Sequence, residues 1–372
     1  MKIAYIGQKG IPAAFGGVDF HVEELSKRLV QRGHEVYVYV RNWHTDRNLR
    51  EYRRVKLIHT STIRTKHLDA FIHSLTSSFH SLFQGYDIVH YHALGPTVFC
   101  WLPKIFRRKV VATIHGLDWQ RGKWGSFAKV FLKFTERTAT YIPDKTIVVS
   151  KSQKEYFENK YKREFIYIPN GVNIPQGKPV SEIIKEKFGL NGEDYLLWMG
   201  RLTPEKRVDW LLKAFKEIKG KMRNLRLVIA GGTSATDEYV RGLKKLAEGD
   251  DRIVFTGYVR GEEKEELFSN ALLFVLPSYL EGLPIALLEA MSYELPCLVS
   301  GIEPHREIIS GGVDGLLFES NDFSDFVRKL GELLESPEKL ENIGENARRK
   351  VEKEYNWDEV VRKTEEIYRE LI

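Results

Sequence analysis

Residues 1–40, MKIAYIGQKGIPAAFGGVDFHVEELSKRLVQRGHEVYVYV, decide the fold class. An apolar run at Ile3–Ile6 leads into a glycine-bearing loop. Val18, Val22, Leu25 and Leu29 then share one helical stripe that stops at Gly33, and a second apolar run follows at Val36–Val40. Strand, loop, amphipathic helix and strand in that order make a βαβ unit. Strands this apolar need cover on both faces, which parallel sheets flanked by helices provide.

The alternation continues outward. Short apolar runs recur at Val55–Ile58, Ile88–His92, Val110–Ile114, Thr146–Val149 and Phe165–Ile168, most with helical-period stretches between them. A second series follows at Tyr195–Met199, Leu225–Ala230, Ile253–Thr256, Leu272–Leu276, Leu295–Val299 and Leu316–Phe318. Between the two series lies PNGVNIPQGKP, Pro169 to Pro179, rich in turn formers and holding three prolines. The pattern predicts an α/β fold with two doubly wound domains, the first over 1–170, a linker over 171–179 and the second over 180–356. The stretch from Trp357 to Ile372 adds a helix, with Val360, Val361, Thr364, Ile367, Tyr368 and Leu371 at helical spacing. Two such domains are expected to face one another across a cleft at the carboxyl ends of their strands, where open α/β sheets bind ligands.

A length of 372 residues suits two domains, and 42% apolar with 29% charged residues is the balance of a soluble globular protein. Cys100 and Cys297 lie one in each half, without metal-ligand or redox spacing, which excludes a disulfide scaffold and a zinc ribbon. No signal-peptide pattern stands at the start, so a reducing cytoplasm is the expected compartment. No run approaches the ~18 consecutive apolar residues of a membrane span. The net charge of +6 hides an asymmetry: 28 lysines and arginines against 14 acids up to Asn170, and 29 against 37 beyond it. A first half this basic is suited to an anionic partner, such as an acidic membrane surface, a lipid phosphate or nucleic acid, although scattered solvated cations give the same count.

The loops after strands carry the candidate chemistry. Glu281-Gly-Leu-Pro-Ile-Ala-Leu-Leu-Glu289 follows the run at 272–276; Pro284 suits the first turn of a helix, with Gly282 and Leu283 leading in. Free amides at such a start, with the helix dipole, form an anion site. Glu281 then lies at the mouth and Glu289 about 7 Å along the axis, two acceptor-only groups suited to different hydroxyls of one ligand. After Tyr195–Met199 comes Gly200-Arg201-Leu-Thr-Pro-Glu-Lys206, which brings Arg201 and Lys206 to the end of a strand and the opening of a helix. Cations there oppose the helix dipole unless an anion lies between them. The first loop ends in Gly16-Gly17, lacks G-x-G-x-x-G, and reads either as a structural turn or as a place where backbone approaches a phosphate. His90, His92 and His115 all end strands, and spacing does not rank them.

Aromatic and basic residues interleave at Trp101, Lys104, Phe106, Arg107, Arg108 and Lys109, and again at Trp119, Arg121, Lys123, Trp124, Phe127 and Lys129. The mixture suits an anionic bilayer interface, single-stranded nucleic acid, or core rings flanked by surface charge.

Taken together, Gly16-Gly17-Val18, Thr-Ile-His115-Gly, Ile-Pro-Asn170-Gly-Val, Gly200-Arg201-Leu-x-Pro-Glu-Lys206 and Glu281-x7-Glu289 followed by Ala-Met resemble the retaining, nucleotide-sugar-dependent glycosyltransferases of the GT-B fold, family four. The resemblance spans nearly the whole chain. The opening Gly-Ile-Pro-x-x-Phe-Gly-Gly-Val is similar to a rhamnosyltransferase-type subgroup of bacterial surface polysaccharide assembly. It implies that the second domain holds a UDP- or GDP-sugar, with Arg201 and Lys206 on the diphosphate, Glu289 on the ribose, Glu281 by the transferred sugar and contacts near Tyr258 and Leu283 reading base and sugar. Gly16 and Gly17 would close over the phosphates, His115 would touch the sugar, and the last helix would pack back on the first domain. The acceptor would be lipid-linked or a glycan, met at the inner face of the cell membrane, with no nucleic acid partner. No Asp-x-Asp occurs in the chain, so no metal is required by the sequence. The competing reading is a non-catalytic α/β protein that binds polyanions or membranes; a phosphorylase or dehydrogenase on a similar scaffold is weaker still.

Overall fold

The computed structural model describes residues 1–372 except 14–15, 66–67, 121, 123–124, 178, 180–181, 219–223, 233–236 and 337. Of the interleaved aromatic and basic residues, Arg121, Lys123 and Trp124 therefore lie outside the described set, as does Lys178 of the linker stretch. The chain divides into two compact units: Met1–Gly171 with Trp357–Ile372, and Val172–Asn356. Both are α/β with parallel sheets.

In the first unit the strands are β1 (Lys2–Ile6), β2 (Glu35–Arg41), β3 (Glu51–Tyr52), β4 (Val55–Thr60), β5 (Ile88–His92), β6 (Lys109–Ile114), β7 (Lys145–Val148) and β8 (Ile166–Tyr167). They form one sheet in the order β3-β4-β2-β1-β5-β6-β7-β8. Every pairing is parallel except that of the two-residue β3 with β4, too short to carry a readable period. The helices are α1 (Gly17–Gln31), α2 (Leu68–Ser81), α3 (Trp101–Ile105), α4 (Ser126–Tyr141) and α5 (Lys151–Tyr161), with α14 (Trp357–Leu371) closing the chain. Helix α1 buries Val22, Leu25 and Leu29 of the expected stripe, and leaves Val18 at its start half-buried. The strand order reverses between β1 and β5, which places a topological switch point there.

Helix α14 is part of the first unit's core. Trp357, Val360, Val361, Ile367 and Tyr368 pack with Ile3, Tyr5, Val22, Leu25 and Leu29. The Tyr368 hydroxyl lies 3.0 Å from that of Tyr5 and 2.5 Å from Nδ1 of His90. Glu365 accepts from Arg32 at 3.0 Å and faces Nε2 of His34 at 3.1 Å. Burial would raise the Glu365 carboxyl, but Arg369, Arg32 and His34 outweigh it and hold the group down at about 2. Gly171 explains the Asn-Gly step: a Cβ there would lie 2.5 Å from the Trp357 ring.

The second unit contains β9 (Tyr195–Arg201), β10 (Arg226–Gly232), β11 (Ile253–Gly257), β12 (Leu273–Leu276), β13 (Cys297–Ser300) and β14 (Leu316–Phe318), in the order β11-β10-β9-β12-β13-β14, all parallel. Its helices are α6 (Glu182–Phe188), α7 (Val208–Ile218), α8 (Asp237–Ala247), α9 (Glu262–Asn270), α10 (Ile285–Ser292), α11 (Glu303–Ile308), α12 (Phe323–Leu334) and α13 (Glu338–Glu354). The switch point falls between β9 and β12, so Arg201 and the loop bearing Glu281 flank it. Among the described residues, no helix is long and apolar enough to cross a membrane.

Candidate active site

At the carboxyl edge of the second sheet, glycines bring strands close together. Gly231 takes φ +142°, and a Cβ there would lie 1.8 Å from the Gly200 carbonyl oxygen; one on Gly232 would lie 2.6 Å from the Tyr258 ring. Only glycine tolerates both approaches. Arg201 thus ends β9 beside Tyr258, whose hydroxyl is raised by burial against the opposing charge of Arg201.

The chain after Arg201 differs from its expected form. Lys206 ends a single 3-10 turn, Pro204–Lys206, and Arg207 turns left-handed at φ 49° before α7 opens at Val208. Lys206 is therefore in the connection and not at a helix opening. The Glu205 carbonyl accepts from the amide of Tyr279 at 3.0 Å, which ties this turn to the loop after β12. That loop delivers Glu281, and the Lys206 ammonium donates to its carboxylate. Both side chains are largely buried, at 15% and 8% exposure. Burial raises the Glu281 carboxyl; the Lys206 ammonium outweighs it and leaves it below the ordinary carboxylate value.

Pro284 stands outside α10, with ψ 106°, as its N-cap, and the helix begins at Ile285, so the expectation that Pro284 sits in the first turn is corrected by one residue. Proline has no side-chain oxygen to accept from the first amides, so the start of α10 is without a side-chain cap. Leu283, just before Pro284, is buried. Glu289, the fifth residue of α10, meets Lys264 of α9 at 2.5 Å. His305 is fully buried; its Nδ1 lies 2.8 Å from the Ser300 carbonyl oxygen, and among the described residues its Nε2 has no hydrogen-bond partner. Burial lowers His305 to about 4 against the pull of Glu281, so it is a neutral neighbour of that carboxylate. Lys264 and His305 carry no motif. Lys264 could have been found only by asking what neutralises a helix-buried Glu289, a question that needs the fold.

The first unit assembles a different group. Gly16, at φ 98° and ψ 146°, is the N-cap of α1, a Cβ on it would meet nothing within 4 Å, and Gly17 opens the helix. The loop before them is pinned by carboxylates of α1: Asp19 accepts from the Lys9 amide at 2.7 Å and Glu23 from the Ala13 amide at 2.6 Å. His115 follows β6, half-buried, with Nε2 3.0 Å from Nδ1 of His92. His21 of α1 lies edge-on to His115 at 4.9 Å between centroids and holds Asn170 Oδ1 at 3.0 Å from its Nδ1. The structure ranks the three strand-end histidines: His90 is sealed between Thr113 and Tyr368, His92 is buried behind His115, and only His115 reaches the surface. Burial keeps His90 and His92 well below the usual histidine range and His21 at about 4, so all three are neutral near pH 7.

Among the described residues, one group has metal-ligand spacing: His21, His92 and His115 offer ring nitrogens within 4.8 Å of one another. Neutral imidazoles are the right donors for a borderline-soft divalent ion. Yet the His21 and His92 Nδ1 atoms are already paired, with Asn170 and His115, and imidazoles that satisfy one another in this way stand as well without an ion.

Family models match both halves: Glycosyltransferase Family 4 over residues 15–176 and Glycosyl transferases group 1 over 180–350. An uncharacterized glycosyltransferase of Methanocaldococcus jannaschii is 28% identical, covering 99% of this chain and 98% of the relative. The UDP-Gal:alpha-D-GlcNAc-diphosphoundecaprenol alpha-1,3-galactosyltransferase of Escherichia coli is 28% identical over 78% of this chain and 76% of its own. Among solved structures, Anabaena HepE with UDP and glucose superposes with TM-score 0.83 at 18% identity, over 99% of each chain. Sucrose-phosphate synthase of Thermosynechococcus elongatus does so at 0.82 and 22%, over 100% of this chain and 98% of that one. The fold is GT-B.

Proposed function

From the premise that this chain is a glycosyltransferase, with a family 4 domain followed by a group 1 domain, we propose a retaining enzyme that moves a sugar from a UDP- or GDP-sugar to a lipid-linked or glycan acceptor. Cell-envelope polysaccharide or glycolipid synthesis, at the inner face of the membrane, is the setting. Relatives support this: the Escherichia coli relative is named for a UDP-galactose donor and a diphosphoundecaprenol-linked acceptor.

The observation that carries the reading is the Lys206–Glu281 pair at the switch point of the second sheet, beside Arg201 and the uncapped start of α10. A buried ammonium needs a counter-charge, and Glu281 supplies it until a diphosphate does. When the bond from the anomeric carbon to phosphate breaks, negative charge gathers on the phosphate oxygen. Arg201, Lys206 and the amides of α10 are suited to stabilise that charge without reorganising. The leaving oxygen takes the proton of the acceptor hydroxyl, whose oxygen bonds the anomeric carbon from the same face. The configuration is retained and neither glutamate becomes covalently attached. Glu281, freed from Lys206, would face the transferred sugar with Glu289 on the ribose; Leu283 contributes backbone to the base side. Gly16 and Gly17, where a Cβ on Gly16 would meet nothing within 4 Å, are suited to backbone contact with a phosphate, and His115, oriented by His92, to a hydrogen bond with a sugar hydroxyl. No cofactor and no divalent metal enter this scheme, since cations of the chain take the metal's role.

Incubation with a panel of UDP-, GDP- and dTDP-sugars, rhamnosyl donors included, tests the reading. Release of nucleoside diphosphate from one donor, undiminished by EDTA, is expected; release from none, or a sugar trapped covalently on Glu281, would contradict it.

A further inference from the structure

Helix α2 of the first unit is amphipathic in the reverse sense. Its inward face carries Asp69, His73, Ser74, Ser77, Ser78 and Ser81, all buried. The hydroxyls of Ser77 and Ser78 bond Thr60 at 2.8 Å and Tyr91 at 2.7 Å. The outward face, continued one step past the helix, carries Leu68, Phe71, Leu75, Phe79 and Phe83, three or four residues apart and 37% to 69% exposed. A helix of a water-soluble surface turns its apolar stripe inward. Here the stripe is left outside.

The neighbouring helices extend it. Phe71 lies edge-on to Phe99 at 4.9 Å and to Phe131 of α4 at 6.0 Å, and α2 also packs beside α3. Helix α4 exposes Phe127, Val130 and Phe134 at helical spacing, with Phe127 88% exposed. At α3, Trp101, Ile105 and the following Phe106 are exposed as well. Residues 68–83, 101–109 and 126–141 hold seven lysines and arginines against two acids, Asp69 and Glu136. Both acids are buried and turned inward: Asp69 accepts from Arg41 at 2.6 Å, and Glu136 from Lys160 at 2.5 Å and Tyr161 at 2.8 Å. Lys104 of this face reaches Asp144 at 2.7 Å. Rings among cations also serve nucleic-acid stacking, but this surface includes the aliphatic Leu68, Leu75, Ile105 and Val130, which give a base no ring to stack on, and so matches an anionic lipid bilayer, where rings settle at headgroup depth and cations among phosphates. A second copy of the same face would bring like charges together.

We infer that the outer face of α2, α3 and α4 is an interfacial docking surface for an anionic membrane. It deepens the reading of a lipid-linked acceptor and rests on that reading for its purpose, while its geometry stands apart from it.

Flotation of the full chain with vesicles of equal parts phosphatidylglycerol and phosphatidylcholine, and with phosphatidylcholine alone, tests the inference. The wild type is expected to float with the anionic vesicles only. Phe79→Ser with Phe83→Ser, and separately Phe127→Ser with Val130→Ser, should each lower partition by about tenfold or more at any salt, because buried apolar area is lost. Lys133→Glu with Arg137→Glu should lower it chiefly at low salt. All variants should keep the wild-type melting temperature and its upward shift with UDP, which reads the donor site separately. A wild type that stays with the unbound protein, stripe variants that float like the wild type, or a dimer that the stripe variants convert to monomer without any vesicle binding would each overturn it. Loss of the UDP shift in the wild type, with flotation intact and stripe-dependent, would sink the donor reading and leave this inference standing.

Discussion

The two units put opposite chemistry at equivalent edges of similar sheets. In the second, the loops after β9 and β12 hold charges in pairs, Lys206 with Glu281 and, close by, Lys264 with Glu289. In the first, the strand ends and α1 gather imidazoles that burial keeps neutral, His92 and His21 beside His115. In the reaction proposed above, the contrast separates two tasks. A leaving diphosphate needs fixed cations, and cations kept in reserve need a carboxylate to neutralise them in the meantime. A sugar hydroxyl needs only a donor or acceptor of fixed orientation, which a neutral histidine gives without competing for the phosphate.

The contrast breaks most visibly at Lys206. Lys206→Ala should lower kcat/KM for transfer on the order of 100-fold or more, as loss of one such donor does. Glu281→Gln should also abolish most transfer with the fold intact. His92→Phe should act more mildly, through the lost hydrogen bond to His115, and should reduce kcat with donor KM little changed. An equal loss from His92→Phe and Lys206→Ala in steady-state kinetics would erase the distinction between the units.

Glu289→Ala should weaken donor binding by roughly tenfold or more, the worth of a hydrogen bond to a charged group. It should also break the ion pair with Lys264, so Glu289→Ala with Lys264→Ala should lose less than the two single effects combined. Full additivity in titration calorimetry with UDP would mean the pair is not a unit.

Gly171→Ala drives a methyl into the Trp357 ring and should destabilise the first unit by about 1–3 kcal/mol, the usual cost of overpacking. The melting temperature reports it; an unchanged value would mean α14 yields there without cost.

The smallest effect expected is one of pH. His21, His73, His90 and His92 of the first unit are all depressed, chiefly by burial, His21 to about 4 and His73 to about 3; in the second unit His305 is depressed to about 4. Folded values below the unfolded ~6.5 mean that the unfolded chain binds more protons, so stability is full above pH 6.5 and is lost as pH falls toward 4. Asp19, raised to about 6 by burial, acts the other way: its contribution is lost as pH rises through 6. With four histidines against one, hydrogen exchange should show the first unit losing protection sooner on acidification. Equal loss in both units would contradict the assignment of neutral imidazoles.

Strand positions were legible because apolar runs and glycine turns are local: Ile88–His92 and Leu316–Phe318 fall where their side chains place them. The placement of Glu281, Lys206 and Arg201 was legible for the same reason, each within a few residues of a strand end. Lys264, His21 and His305 were not, because what makes them matter is a partner 25, 149 or 5 residues away that only packing supplies. The reversed polarity of α2 was hidden too. Its 3.6-residue stripe reads like a buried one, and only the serines on the opposite face, bonded to β4 and β5, reveal which side is in.

The most direct measurement is a crystal structure of the chain with UDP or GDP bound. The pyrophosphate should lie within hydrogen-bond reach of Arg201 and Lys206, the ribose on Glu289, and the Lys206–Glu281 pair should be parted. Nucleotide bound elsewhere, or bound with Lys206 still on Glu281, would contradict the role given to the second unit's cations.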